Sequence, residues 1–196
     1  MRAARIPSLR QRAAPYLLGI AVTSMIVPID IREVRPEEYE EAGRITASAW
    51  REFLPADPDP EWEAYVAEIA DIRGRAGRTL VLGAFEDDRP LGTVTLEVDR
   101  KIGNEGIALA PDAANVRMLG VAPEARRRGV GRALMEAVIA EARARGKRAV
   151  TLNTGEKMRS AVAMYEAMGF VRGQDVVLDD GFRLQSYRLE LDPGGG

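Results

Sequence analysis

Val116-Arg-Met-Leu-Gly-Val-Ala-Pro-Glu-Ala-Arg-Arg-Arg-Gly-Val-Gly-Arg-Ala-Leu134 is the stretch whose reading decides the fold. Val116 to Val121 reads as a strand, and Pro123 turns the chain out of it. A basic loop follows, and an amphipathic helix runs over 129–145, with Leu134, Met135, Val138, Ile139 and Ala142 at helical spacing. Gly146 stands where such a helix stops. A strand that passes through a basic, glycine-containing turn into a helix N-terminus is an anion cradle. Glycine lets the backbone approach closely, the first helical N–H groups have no partner inside the helix, and the helix dipole adds partial positive charge. Arg126, Arg127, Arg128 and Arg132 surround that point, so a pyrophosphate is the natural occupant. Two other readings use the same residues. Gly129-x-Gly131 also suits a plain helix entry with a solvated arginine face. A dinucleotide-binding turn would place a third glycine where Leu134 stands. No Gly-Lys-Ser/Thr ending marks an ATP or GTP site.

Downstream, Ala149 to Asn153 reads as a strand, which makes a strand-helix-strand unit with parallel strands. A helix over about 158–168 ends at Gly169. Phe170–Leu178 and Phe182–Leu191 form a closing hairpin around Asp179-Asp-Gly181. Upstream, Ile29 to Val34 reads as a first strand. Pro36 opens a helix that runs through residue 53, and Pro55-Ala-Asp-Pro-Asp-Pro60 breaks it. One further helix carries Trp62, Tyr65, Val66, Ile69 and Ile72 and ends at Gly74 and Gly77. Thr79 to Phe85 is a nearly unbroken apolar run, the mark of a strand buried on both faces. Glu86 to Pro90 is a turn, and Leu91 to Val98 alternates, with Thr93, Thr95 and Glu97 on one side. Residues 100–113 read as a mobile loop. The expectation is one α/β domain with a mixed sheet over 29–191.

Composition narrows the chemistry. The chain of 196 residues contains no His and no Cys. That excludes a Ser-His-Asp triad, a cysteine nucleophile, a disulfide and any imidazole or thiolate metal site. No calcium-type acidic loop is visible either, so no metal is expected. Nothing points to an oxidising compartment, and a cytoplasmic location is expected. A net charge of −2 gives no reason to expect a nucleic-acid partner. Residues 1–28 are a basic leader with a short apolar run, Tyr16 to Val27, too short to span a bilayer as a helix. The leader and residues 192–196 are expected to lie outside the fold as disordered ends.

Arg126-Arg-Arg-Gly-Val-Gly131 resembles the Gln/Arg-x-x-Gly-x-Gly/Ala motif of the GNAT superfamily of acyl-CoA-dependent N-acetyltransferases. Met118-Leu-Gly-Val-Ala-Pro123 before it is similar to that family's strand, and Tyr165-Glu-Ala-Met-Gly-Phe170 after it is similar to its Tyr-x-x-x-Gly-Phe element. The order of elements agrees over roughly 29–191. The resemblance implies a fold with a splayed parallel strand pair and helices on both faces of the sheet. It implies that Leu119, Gly120 and Val121 hold the pantetheine arm of acetyl-CoA. The N–H groups from Arg127 through Arg128, Gly129, Val130 and Gly131 to Arg132 would hold its pyrophosphate. Arg126 takes the motif's first position, and Asn153 lies at the end of the second strand. Tyr165 matches the residue that protonates the departing thiolate.

The base is less settled. Asn115 stands where many family members have Glu, and Met158 where they often have Asn. Glu97, on the neighbouring hairpin, is the substitute catalytic candidate, against a reading as a solvent-facing strand residue; water is the other option. Trp50, Phe53, Trp62 and Tyr65 are expected in the core more than against substrate. The function implied is direct acetyl transfer from acetyl-CoA to a small-molecule primary amine in a ternary complex. A non-catalytic acyl-CoA-binding regulator and a peptide or protein N-acetyltransferase are the alternatives. No membrane partner is expected, and a homodimer through the sheet edge is compatible with the family.

Overall fold

The computed structural model describes residues 28–54, 60–98, 110–178 and 181–191. The expected leader before Pro28, the tail from 192, most of the 100–113 loop and the Asp179-Asp180 tip lie outside the described residues.

Among the described residues, eight strands form one mixed sheet. They are β1 (Asp30–Glu33), β2 (Leu80–Glu86), β3 (Arg89–Glu97), β4 (Ala113–Val121), β5 (Ala149–Gly155), β6 (Val171–Arg172), β7 (Val176–Val177) and β8 (Arg183–Glu190). The spatial order is β1-β2-β3-β4-β5-β8-β6, with β7 also on β8. Only β4 and β5 pair in parallel among these strands. The β2–β3 turn is tighter than its acidic sequence suggests. Asp87 and Asp88 both take positive φ, 49° and 64°, as the twist-matched two-residue hairpin turn requires. Pro90 lies inside β3, beside a bulge at Ala84/Phe85.

Five α-helices are described: α1 (Tyr39–Arg51), α2 (Pro60–Ala70), α3 (Ile72–Ala76), α4 (Val130–Ala144) and α5 (Arg159–Ala167). The single helix expected across residues 62–74 is in fact two. Asp71 leaves helical geometry at φ −81°, ψ 74°, and its side chain accepts the Gly74 N–H at 2.9 Å, capping α3.

The apolar run of β2 is buried on both sides, as its composition suggests. Leu82 joins Val94, Leu96, Val116 and Leu152 beneath Leu134, Met135 and Val138 of α4. Val81 and Phe85 face the other way, against Ala42 of α1 and Ile72 of α3. Each such side chain contributes roughly 1.5–3 kcal/mol of burial. The Thr93–Thr95–Glu97 side of β3 is therefore covered by helices rather than open to solvent. The Thr93 and Thr46 hydroxyls share a hydrogen bond of 2.6 Å, and the Thr95 hydroxyl accepts from Arg75 Nε at 3.1 Å.

Helices on both faces hold the sheet where its central pair comes apart. Ala113–Val116 pairs with Ala149–Leu152. Beyond that point β4 stays on β3, while Asn153, Thr154 and Gly155 of β5 pair only with Ser186, Gln185 and Leu184 of β8. The two parallel strands thus diverge toward their C-terminal ends and leave a gap.

Candidate active site

The gap opens into a cleft of about 700 Å³. Its floor is residues 115–121 of β4 and 152–154 of β5, and its far end is the first turn of α4. Trp50 and Phe53, at the end of α1, and Tyr65 of α2 form the facing wall. These three were expected chiefly in the core. They are half-buried: each borders the open cleft, while Trp50 and Tyr65 also pack against the buried cluster of Ala47, Val66, Ile69 and Met118. Trp62 packs edge-on against Phe182, with ring centroids 5.3 Å apart, and extends the aromatic wall toward the β8 side.

The floor carries a bulge. Thr93 pairs with Gly120 and Thr95 with Arg117, so β4 spends one more residue than β3 between the two pairs. Met118 absorbs it with a φ of 53° while almost fully buried. A left-handed non-glycine residue costs on the order of 1–3 kcal/mol and persists only where its surroundings hold it. Gly120 is part of that hold. A Cβ there would meet Thr46 Cγ2 at 2.8 Å and the Thr46 carbonyl at 3.1 Å, so its lack of a side chain lets α1 close onto β4. The Trp50 indole N–H donates to the Leu119 carbonyl at 3.1 Å from the same helix.

Gly120 pairs with Thr93, and the Ala122 N–H donates to the Leu91 carbonyl at 2.8 Å. By the alternation of a strand, Leu119 and Val121 turn their peptide groups toward the gap. Their carbonyls indeed meet side chains from outside β3: Trp50 on Leu119, and Arg126 Nε on Val121 at 3.3 Å.

At the far end, Arg127 and Gly129 take φ values of 60° and 83°. Gly129 is the N-cap of α4, and its carbonyl accepts the first helical bond, from the Ala133 N–H at 2.9 Å. The N–H groups of Val130, Gly131 and Arg132 precede that bond and have no acceptor within the helix. Gly131 borders the cleft, and a Cβ there would meet only ordinary contacts, the nearest being Met164 Sδ at 3.6 Å. Arg126, Arg127 and Arg132 border the cleft, whereas Arg128 does not. Arg128 is turned outward into an ion pair with Glu86. Arg126 NH1 is 2.7 Å from Glu52, and Arg132 Nε is 2.8 Å from Glu136.

Tyr165 lies on the cleft opposite β4, packed against Phe170 and Tyr187 with centroids at 5.8 and 6.3 Å. Burial pushes its phenol well above the usual value, so it stays protonated at neutral pH. Asn153 also borders the cleft. Glu97 does not. It sits behind Asn115, accepting from Asn115 Nδ2 at 3.1 Å and from Arg117 NH1 at 3.3 Å. The Asn115 side-chain Oδ1 in turn accepts from the Thr151 hydroxyl at 3.3 Å. Glu97 thus sits behind two residues of the cleft lining, and it is not a solvent-facing strand residue. Nearby, burial lowers the Arg75 pKa to about 10, which leaves it charged at neutral pH. Glu52 is the one carboxylate among the described residues that border the cleft.

Sequence reasoning did not single out Met118, Glu52 or the Trp50 hydrogen bond. Met118 carries no local signal for positive φ, because the bulge arises from pairing with β3. Among the described residues, no group of three or more acidic side chains could hold a metal ion, and no helix is long and apolar enough to cross a membrane.

The residues present suit an elongated anionic thioester. Unpaired N–H groups stand at one end, inward backbone groups line the β4 side, and a protonated phenol lies on the cleft opposite them. The same scaffold recurs in N-acetyltransferases of known structure. The ribosomal-protein-S18-alanine N-acetyltransferase of Escherichia coli superposes with a TM-score of 0.59 at 20% identity, over 86% of this chain and 97% of that one. The PaiA N-acetyltransferase of Thermoplasma acidophilum, solved with coenzyme A, gives 0.61 at 18% identity, over 83% and 99%. The chain belongs to the acetyltransferase (GNAT) family, whose model matches residues 40–170. In sequence it is similar to mycothiol acetyltransferase of Rhodococcus jostii, 31% identical over 164 residues, which is 80% of this chain and 50% of that protein. The Cellulomonas flavigena mycothiol acetyltransferase is 32% identical over 143 residues, 63% of this chain and 40% of its own. The chain spans half the length or less of these curated relatives.

Proposed function

We propose that this chain transfers the acetyl group of acetyl-CoA to the primary amine of a small molecule, by direct attack in a ternary complex. The observation that carries the reading is the parting of β4 from β5 beyond Val116 and Leu152, with an anion cradle at one end of the gap and Tyr165 beside it. The N–H groups of the first turn of α4, with Arg126, Arg127 and Arg132, hold the pyrophosphate. The backbone of Leu119, Gly120 and Val121 holds the pantetheine arm, with Asn153 on the opposite strand. Arg128 contributes through its backbone, since its side chain is engaged by Glu86.

The chemistry asks little of the protein. Acetyl-CoA supplies an activated acyl group. The Leu119 N–H, facing the gap, polarises the thioester carbonyl. The amine nitrogen bonds to that carbon, the C–S bond breaks, and the sulfur leaves as a thiolate. Tyr165 donates a hydrogen bond and its proton to the sulfur. The ammonium loses one proton to water before attack, and the second proton, shed by the nitrogen once the C–N bond has formed, returns the Tyr165 phenol to its protonated state. Glu97 is not assigned either transfer, because both its oxygens are held behind Asn115 and Arg117. The absence of Cys and His fits a route with no acetyl-enzyme. The aromatic wall of Trp50, Phe53 and Tyr65 favours an acceptor with an apolar body. The names of the mycothiol acetyltransferase relatives support a small molecule over a protein acceptor. Residues 29–191 form the catalytic domain, working in the cytoplasm.

Release of free thiol by the full chain, followed across a panel of amines with acetyl-CoA, tests the proposal. Amine-dependent thiol release supports it. Saturable CoA binding with no turnover on any amine favours a regulatory acyl-CoA sensor, and no binding at all removes both readings.

A further inference from the structure

We infer that Trp50 is a positioning residue for the acyl transfer. Its indole N–H holds the Leu119 peptide group so that the Leu119 N–H faces the thioester carbonyl. The inference rests on the acetyl-transfer reading above and adds a residue that neither the motif nor the family match assigns.

Leu119 needs holding. It follows Met118, whose φ of 53° places the bulge just before it. The pairs that flank the bulge, Arg117 with Thr95 and Gly120 with Thr93, leave Met118 and Leu119 outside the β3 register. On the other side β5 has already departed, since its last partner on β4 is Val116. The Leu119–Gly120 peptide is thus tied to β3 on its Gly120 side alone, and the Leu119 carbonyl on its other side has no partner in the sheet. The Trp50 donor, 3.1 Å from the Leu119 carbonyl, supplies that partner.

Trp50 is itself fixed. It is the penultimate residue of α1, and its ring meets Tyr65 edge-to-face at 5.7 Å. Two residues of one helix therefore act on one bulge. Thr46 bonds Thr93 on β3 and abuts Gly120, and Trp50, one turn on, takes the Leu119 carbonyl. In an extended strand the N–H and C=O of one residue point to the same side, so gripping the oxygen aims the N–H. A carbonyl oxygen has two acceptor directions, so the indole leaves one for an amide of the bound arm and does not close the cleft.

Trp50→Phe keeps the ring against Tyr65 and removes the donor. The expected result is a fall in kcat of about tenfold, less than the loss of an oxyanion donor itself. The KM for acetyl-CoA should stay within about twofold, since transition-state alignment rather than ground-state binding is lost. Amide hydrogen exchange at Gly120, the N–H of the gripped Leu119–Gly120 peptide, should quicken by roughly fivefold or more, while exchange in α4 stays unchanged. Unchanged exchange at Gly120 overturns the proposal, and so does a raised KM with unchanged kcat, which would make Trp50 a substrate contact. Should Trp50→Phe fold poorly, 3-benzothienylalanine placed at position 50 keeps the indole shape and replaces N–H by sulfur, and the same two readouts decide. Loss of the functional reading itself looks different: the unaltered chain then gives no turnover, whatever the exchange at Gly120.

Discussion

The Asn115 side-chain amide donates to the Glu97 carboxylate across the β3–β4 pair at 3.1 Å, and that bond keeps Glu97 behind the cleft wall. Asn115 thus stands where a base would, and the carboxylate behind it is occupied. Glu97→Gln keeps the shape and removes the charge opposite Arg117. Stability should fall by about 1–3 kcal/mol, the cost of weakening a mostly buried charge-assisted bond, read from urea unfolding. Activity should stay within about threefold if the ammonium proton leaves through water. A drop of more than about a hundredfold in kcat, with binding unchanged, would return Glu97 to the role of base.

Tyr165→Phe should act in the opposite sense. No described residue hydrogen-bonds the phenol, so the variant should fold as well as the parent, while kcat falls by roughly 10²-fold. The pH dependence follows from burial, which raises the folded pKa above the unfolded value of about 10. A raised pKa means that the stabilising effect is complete below about pH 10 and is lost as the pH climbs further. Tyr187 is raised as well, by burial and by Glu166, so Tyr165→Phe should remove only part of the alkaline destabilisation. In turnover, no alkaline limb from Tyr165 should appear below about pH 10, and one near neutrality would contradict its place here.

What could be read from the chain divides along physical lines. The apolar run of β2, the periodicity of α4, and Gly146, with its φ of 70° just past that helix, are local signals, and the structure follows them. Asp71 also carried a local signal, a capping residue three positions before Gly74, but the continuous periodicity of the flanking segments masked it. The rest depended on residues distant in sequence. Arg128 belongs to a basic cluster until Glu86, brought close by the β2–β3 hairpin, draws it outward. Met118 has nothing in its own chemistry that asks for positive φ. Glu97 looks like a free strand residue until α2 and α3 close over that face and Arg117 reaches it.

Glu52 and Arg126 meet at 2.7 Å at the mouth of the cradle, with both side chains partly exposed. An incoming phosphate competes with the Glu52 carboxylate for the same guanidinium. Exposed pairs are worth about 0–1 kcal/mol, so Glu52→Gln should tighten CoA binding by up to roughly fivefold. Calorimetry at low salt would show it, and the difference should shrink as salt screens the pair. Weaker binding in the variant would mean that Glu52 orients Arg126 instead of competing with the phosphate.

Gly129 and Gly131 stand two residues apart and should respond in opposite ways to alanine. Gly129 sits at φ 83° with no atom close enough to obstruct a Cβ. Its cost is conformational, so Gly129→Ala should destabilise by about 1 kcal/mol through backbone strain alone. Gly131 lies within α4 with no positive φ, and its Cβ would find only van der Waals neighbours. Gly131→Ala should therefore hold or gain stability, by up to about 1 kcal/mol from helix propensity. Alanine is also what the motif allows at this position, so Gly131→Ala should keep CoA binding within about threefold. Gly131→Glu instead sets a carboxylate at the cleft, where the first-turn N–H groups must approach a phosphate, and CoA affinity should fall by about tenfold or more. Thermal unfolding with and without CoA reads the effect: the parent and Gly131→Ala should gain stability from the ligand, and Gly131→Glu should gain less. Equal ligand stabilisation in Gly131→Glu and the parent would place the pyrophosphate away from the α4 N-terminus and remove the cradle from the site.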